Sequence, residues 1–400
     1  MNKAPLSQFE FIALMAMVAA TVAFSIDAML PALPEIGAEL SPDNLNKAQL
    51  ILTSFVLGMG LGTFVTGPLS DAYGRKSVMV GGTCLYIGAA IAAWMASSLE
   101  LMLAARVIQG IGAAGPRVVA MAMVRDLYGG RDMARIMSFV MMIFSLVPAL
   151  APTLGHYVIE SLGWRAIFIV FVVFAVIVCT WLVSRQPETL VVEKRRPLKV
   201  SSLISATKEV FAIETTRLSI IIQTLTFGSL FISLSSTQQI FDITFGQGDT
   251  FHLWFGGIAI FSASASFINA RIVGRLGMRA IIKATFTAQI GLSALMIIVT
   301  LFDGPYWLSF GMFIIWTAGA FYQAGLTIGN LNALAMEPVG HIAGVAASAI
   351  AAVSTVGAVL IAVPVGLAFN GTPLPMAVAV LICTLIALWL TTKIKRPGEV

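Results

Sequence analysis

One carboxylate stands where lipid should forbid it. Asp27 lies in Ala23-Phe24-Ser25-Ile26-Asp27-Ala28-Met29-Leu30-Pro31, deep inside the first long apolar run. An ionised carboxylate at mid-membrane costs about 2.5–3.5 kcal/mol on insertion scales. It escapes that cost by facing a wet cavity, by pairing with a cation, or by taking up a proton. Each escape suggests function, so Asp27 is the leading candidate for a group that binds and releases a proton, the proton-coupling position of this chain. The other carboxylates fall in loops or near the ends of apolar runs. The plainer alternative starts the span earlier and leaves Asp27 among the headgroups.

Two arginines share a later apolar run, Arg106-Val107-Ile108-Gln109-Gly110-Ile111-Gly112-Ala113-Ala114-Gly115-Pro116-Arg117. On a helix, residues eleven apart differ by only about 20° in azimuth and by roughly 16 Å along the axis. Gly110 and Ala113 lie near the same stripe. One face is therefore cationic and otherwise small, suited to close packing or to lining a cavity. Arg117 and Gln109 count as candidate cavity residues. Alternatively, Pro116 ends the helix and Arg117 snorkels to an interface.

The elements that carry these residues follow from composition. The chain has 400 residues, 58% of them hydrophobic and 11% charged, with a mean hydropathy of +0.93. Soluble domains carry about 25% charged residues, so lipid is the expected solvent. Runs near 9–31, 48–68, 77–96, 101–124, 136–159, 165–184, 217–241, 252–273, 280–302, 307–332, 342–369 and 375–392 are each long enough to span. No small-x-small cleavage site follows the first run, which reads as a permanent helix. With the N-terminus inside, twenty of the 24 Lys and Arg residues fall in inner segments, while Lys47 and Arg165 fall in outer ones. Both termini are therefore expected in the cytoplasm. The same placement explains the net charge of +5 without nucleic acid. Trp94, Trp164, Trp254 and Trp307 fall near outer ends, and Trp181 and Trp389 near inner ones, where aromatic anchors belong.

The polar stretch 185–216, with Glu193-Lys194-Arg195-Arg196-Pro197, cannot span. It divides the chain into six helices (1–184), a cytoplasmic linker (185–216) and six more (217–400). Its part near Leu198–Ile213 reads either as an amphipathic surface helix or as a plain basic loop. Cys84, Cys179 and Cys383 lie far apart in apolar runs and read as buried hydrophobes, not as metal ligands or disulfides. No His/Cys cluster, nucleophile constellation or Walker loop points to an enzyme or a cofactor.

Gly67-Pro68-Leu69-Ser70-Asp71-Ala72-Tyr73-Gly74-Arg75-Lys76 reads as a short polar hairpin between spans 2 and 3, with Pro68 limiting the helix and Gly74 available for positive φ. The G-x-L-S-D-x-x-G-R-K pattern resembles the loop 2–3 signature of the major facilitator superfamily. Gly274-Arg275-Leu276-Gly277-Met278-Arg279 is a weaker second copy without the Asp. The R-x-x-Q-G-x-G of span 4 resembles that superfamily's span 4 signature. Pro148-Ala149-Leu150-Ala151-Pro152-Thr153-Leu154-Gly155-His156 resembles the span 5 signature of drug exporters, with His156 in place of a Gly. Together with Ser25-Ile26-Asp27-Ala28-Met29-Leu30-Pro31-Ala32-Leu33-Pro34 and Gly371-Thr372-Pro373-Leu374-Pro375-Met376, these resemble the Bcr/CflA drug-resistance branch.

That resemblance implies an all-α membrane protein of major facilitator fold, twelve transmembrane helices in two six-helix bundles related in parallel. It implies a proton-driven exporter of bicyclomycin- or chloramphenicol-like compounds in a bacterial inner membrane. Its partners would be small molecules, protons and lipid, and twelve such helices can work as a monomer. Arg106 inherits a proton-coupling role by position, beside Asp27. Gly67, Asp71, Gly74, Arg75, Asp126, Pro148, Pro152 and Gly155 inherit gating roles, with Asp71 meeting the span 11 helix end and Arg75 pairing with Asp126. A carrier of an endogenous sugar, amino acid or siderophore is the rival. Candidate cavity walls are Phe24, Met29, Met121, Phe144 and Phe231. Gln238 and Gln239 (span 7), Asn269 (span 8), and Tyr322, Gln323, Asn330 and Asn332 (span 10) are either cavity groups or interhelical glue.

Overall fold

An apolar run can cross lipid only if its backbone satisfies its own hydrogen bonds, which selects helices. The computed structural model describes residues 6–195, 198, 200–302 and 304–394, and among them every regular element is helical. Of the residues used above, Lys3, Arg196, Pro197, Lys199, Lys395 and Arg396 lie outside the described ones. The chain forms two compact units. The first comprises Met1–Asp43 and Ser54–Leu203, and the second Asn44–Thr53 and Ile204–Val400.

The first unit holds six spans. The first is broken: α1 (Gln8–Asp27) ends at a two-residue turn, a 3-10 turn (Leu30–Ala32) follows, and α2 (Leu33–Leu40) completes it. The expected end at residue 31 is therefore nine residues short. Pro31 and Pro34 break the regular helix but do not stop the chain from crossing, because each opens a new helical turn. Then come α3 (Leu50–Tyr73, in this unit from Ser54 on), α4 (Arg75–Trp94), α5 (Leu99–Leu127), α6 (Gly130–Leu162) and α7 (Ala166–Arg185). The supposed hairpin at 67–76 is nearly all helix. Pro68 sits inside α3, which runs on to Tyr73, and Gly74, at φ 98°, is the whole joint. Pro116 likewise lies inside an unbroken α5 and does not end it before Arg117. Membrane helices tolerate such prolines because neighbouring groups take up the freed carbonyls.

Glycines set the helix spacing. A Cβ on Gly58 would come within 1.9 Å of the Val107 carbonyl oxygen, and one on Gly110 within 2.0 Å of that of Phe55, so α3 and α5 touch backbone to backbone. A Cβ on Gly155 would stand 2.3 Å from the Ala28 carbonyl oxygen, which fixes α6 against the break in the first span.

The surface-helix candidate is α8 (Val200–Ala212), in the second unit from Ile204 on, followed by α9 (Glu214–Gln239), α10 (Phe251–Leu276), α11 (Met278–Leu301), α12 (Tyr306–Met336), α13 (Ala343–Leu367) and α14 (Leu374–Lys393). A 3-10 segment (Glu337–Ile342) with Val339 off the helical region separates α12 from α13, so one 62-residue helical stretch is two spans. With it the count among the described residues is twelve, as the hydropathy predicted. Helix α9 packs against α12, α13 and α14, and α11 against α12 and α14. The core is aromatic and aliphatic: Phe241 meets Phe251, Phe310 and Phe313 edge-on, and Trp316 donates to Ser293 Oγ at 2.9 Å.

Candidate functional site

Asp27 is the last residue of α1 and only 5% exposed. Among the described residues its carboxyl group has no hydrogen-bond or ion-pair partner. Its depth can be read from neighbours. Phe24 packs its ring against Phe171 and Phe174 of α7, at 5.5 and 5.6 Å between centroids. Asp27 is one turn nearer the start of α7, so it lies roughly 6 Å below that helix's first residue. Beyond it the chain continues to Glu39, which accepts from Trp164 Nε1 and pairs with Arg165 at 2.7 Å. Asp27 is thus inside the bundle, nearer the Arg165 end than the middle, and α2 stands over it.

Arg106 is fully buried. Its Nη1 donates to Gln109 Oε1 at 2.7 Å, its Nη2 donates to the Ser25 carbonyl at 3.0 Å, and its guanidinium lies 4.5 Å from the Phe55 ring centroid. Residues 106 and 109 are near neighbours on a helix face, which sets the first contact. The second ties α5 to α1 two residues before Asp27. Ser25 Oγ donates to the Thr21 carbonyl at 2.6 Å and meets Tyr86 Oη of α4 at 2.5 Å. A buried polar cluster from α1, α4 and α5 therefore abuts the helix end that bears the carboxylate. Gln109 Nε2 is buried without a partner among the described residues. Arg117, one face with Arg106, reaches toward Met59 Sδ at 3.4 Å.

At the opposite end Arg75 gathers several partners. Nε donates to Asp126 Oδ2 at 2.9 Å, and Nη1 to Asp71 Oδ1 at 2.6 Å and Ser70 Oγ at 2.7 Å. Glu188, beyond α7, accepts from the backbone N–H groups of Arg75 and Lys76 at 2.9 and 3.0 Å. It supplies the anion that a helix N-terminus favours. Thr189 Oγ1 adds a bond to Asp126 at 3.0 Å, and Lys76 Nζ caps α7 through the Val183 and Gln186 carbonyls. Gly74 is required by its positive φ, and a Cβ there would also push on the Glu188 carboxylate, which it would approach to 2.7 Å.

In the second unit Asn330 Nδ2 donates to Asn269 Oδ1 at 2.8 Å, so these two join α12 to α10. Tyr322 stacks near Phe261 and accepts from Ser264 at 3.4 Å. Phe231 stacks on Phe227. Gln238 is buried, and Gln239 bonds Asn46 and Gln49. Gln323 Oε1 is buried without a partner among the described residues. Of the first unit's candidate walls, Met29 is fully buried and Phe24 belongs to the Phe171 cluster, while Met121 and Phe144 are half-buried. His156 faces Glu160 at 3.8 Å on its own helix.

A family model described as Major Facilitator Superfamily matches residues 15–362. The chain belongs to the major facilitator superfamily. Among its relatives is a bicyclomycin resistance protein homolog of Haemophilus influenzae, 28% identical over 88% of this chain and 88% of that one. Another is a chloramphenicol resistance protein of Pseudomonas aeruginosa, 38% identical over 36% of this chain and 34% of that one. The fold matches a crystal structure of a D-xylose-proton symporter at TM-score 0.77 and 11% identity, covering 97% of this chain and 98% of the other. The likeness to the bicyclomycin-resistance branch read from spans 1, 4 and 5 agrees with these relatives. This major facilitator chain is accordingly a multi-pass membrane transporter with drug-resistance relatives.

Sequence reading missed three members of these clusters. Tyr86 and Ser25 looked like ordinary span residues, because only the fold shows that α4 and α1 face Arg106. Glu188 lay in a stretch read as linker. The signal available was a lone acid just past a span end, close in space to a helix start.

Proposed function

We propose that this transporter is a proton-coupled exporter of small drug-like compounds, of the kind named for its bicyclomycin- and chloramphenicol-resistance relatives, working by alternating access in a bacterial inner membrane. Asp27 carries the reading: a buried carboxylate without a partner among the described residues, at a break in its helix, two residues beyond the carbonyl that Arg106 holds. Such a group can be ionised with a cargo donor bound, or protonated with the cargo gone. Proton and cargo then exclude each other, which is the requirement for antiport. Arg106 fixes α1 beside the carboxylate and answers its change of charge through the shared cluster.

The Arg75–Asp71–Asp126–Glu188 cluster would hold one gate state on the cytoplasmic side, with both termini on that side by the basic-residue bias. Breaking it would shift the population of states without touching cargo. Residues 1–184 and 217–400 would be the two moving bundles and 185–216 their linker, and the transporter would act as a monomer.

The test is proton-driven export in everted vesicles. Asp27→Asn should insert normally and lose accumulation driven by a proton gradient. Undiminished proton-driven transport in that variant would refute the assignment. A resistance panel with and without a protonophore separates a drug exporter from a carrier of one endogenous metabolite, which would give saturable transport of a single compound.

A further inference from the structure

Two ionic groups deep within spans of the first unit have no nitrogen or oxygen hydrogen-bond partner among the described residues, and they have opposite signs. One is Asp27. The other is Arg117, whose single polar contact there is the Met59 thioether at 3.4 Å. A guanidinium offers five donors in a planar fork, and sulfur is a poor acceptor for any of them. Arg106, eleven residues earlier, shows the contrast: it is bonded to an amide and a carbonyl and lies on an aromatic face. Arg117 is half-buried, so its fork meets accessible space.

Their relative placement follows from α3. Arg106 lies over Phe55 and Arg117 reaches Met59. Those two residues are one turn apart on the same face, which separates the two guanidinium groups by roughly 6 Å along the axis. Asp27 lies on the other side of Arg106, two residues past Ser25, adding roughly 3 Å. A donor-seeking carboxylate and an acceptor-seeking guanidinium thus stand roughly 10 Å apart along one bundle, about the length of a small aromatic drug.

We propose that Arg117 is a cargo-recognition residue that binds a negatively polarised oxygen of the transported molecule, such as a nitro, sulfonyl, carbonyl or carboxylate oxygen. Asp27 takes the O–H or N–H end of the same molecule. The cargo class is a bipolar, acceptor-bearing small molecule, and permanent cations are disfavoured because Arg106 and Arg117 outnumber Asp27. This names the substrate class for the exporter proposed above and rests on that reading.

Three matched probes test it on the purified full-length protein in detergent: 1-naphthalenesulfonate, 1-naphthalenesulfonamide and 1-naphthylmethylammonium, with binding followed by calorimetry. The wild type should bind the sulfonamide, which carries both acceptor oxygens and an N–H, most tightly, and the sulfonate at least tenfold more tightly than the ammonium. Arg117→Gln should erase the tenfold gap. Arg117→Lys, which keeps the charge but not the fork, should keep part of it and so separates loss of recognition from loss of fold. Equal or tighter binding of the ammonium, no binding of the sulfonate by the wild type, or an intact gap in Arg117→Gln would overturn the proposal. Loss of proton coupling in Asp27→Asn beside an intact gap in Arg117→Gln would remove Arg117 and leave the exporter standing. Retained coupling in Asp27→Asn removes the exporter reading itself.

Discussion

At the residue scale, the fork of Arg106 is what ties α5 to α1. It bonds Gln109 Oε1 and the Ser25 carbonyl at once. A lysine carries the same charge at one point and cannot fill both positions from one planar group. Arg106→Lys should therefore insert and express normally yet transport at least tenfold more slowly, measured as initial rates in vesicles at equal protein. Tyr86→Phe is the milder change. Ser25 Oγ keeps its bond to the Thr21 carbonyl and loses only the Tyr86 hydroxyl. A neutral hydrogen bond is worth about 1 kcal/mol, so the variant should melt slightly earlier in detergent and keep most of its activity. Asp27 and Arg106 were legible because lipid makes any charge conspicuous. Tyr86 and Ser25 were not, because a hydroxyl inside a span satisfies itself on its own helix in many sequences, and only the fold brings these two together.

At the element scale, helix contacts without side chains between them should be the least tolerant. A Cβ at Gly155 would sit 2.3 Å from the Ala28 carbonyl oxygen, at the joint that ends α1. Gly155→Ala should displace α6 from that joint and impair transport strongly, and Gly155→Leu should yield protein that aggregates on extraction, checked by size-exclusion chromatography. Glu188→Gln tests the cap on α4. It removes the charge that the helix start favours and leaves one acceptor oxygen where the Arg75 and Lys76 amides each use their own. A charge at a helix end is worth about 0.3–1 kcal/mol when exposed and up to ~2 when partly buried, so thermal stability should fall measurably. The twelve runs were readable from hydropathy alone, because spanning length is fixed by the bilayer. The ends were less so. Pro31, Pro68 and Pro116 are punctuation in a soluble chain, and here helical turns run through or restart at each of them.

At the scale of the whole molecule, exclusion between proton and cargo has a measurable sign. If a bound cargo needs Asp27 ionised, binding must expel the proton that Asp27 holds. Cargo added to the purified wild type in weak buffer should then release protons. Apparent affinity should rise with pH and level off once Asp27 is fully ionised. Asp27→Asn should show neither release nor slope. Proton uptake on binding would point to co-transport instead. Superfamily membership was legible from a handful of motif residues because Gly74, Arg75 and Asp126 must meet in one tight corner. Cargo identity was not, because neutral polar residues such as Asn269 and Asn330 look alike on paper whether they hold a ligand or each other.

The joint at Gly74 has a mechanical corollary. Two long rods, α3 and α4, meet there through a single residue, and the next one, Arg75, is bonded by Asp71, Asp126 and Glu188, with Thr189 bracing Asp126. A coupling that short can swivel but has no slack to absorb a pull. Any shift in α7 or the chain after it therefore reaches α3 undamped, so lengthening this elbow by even one flexible residue should disconnect the two rods.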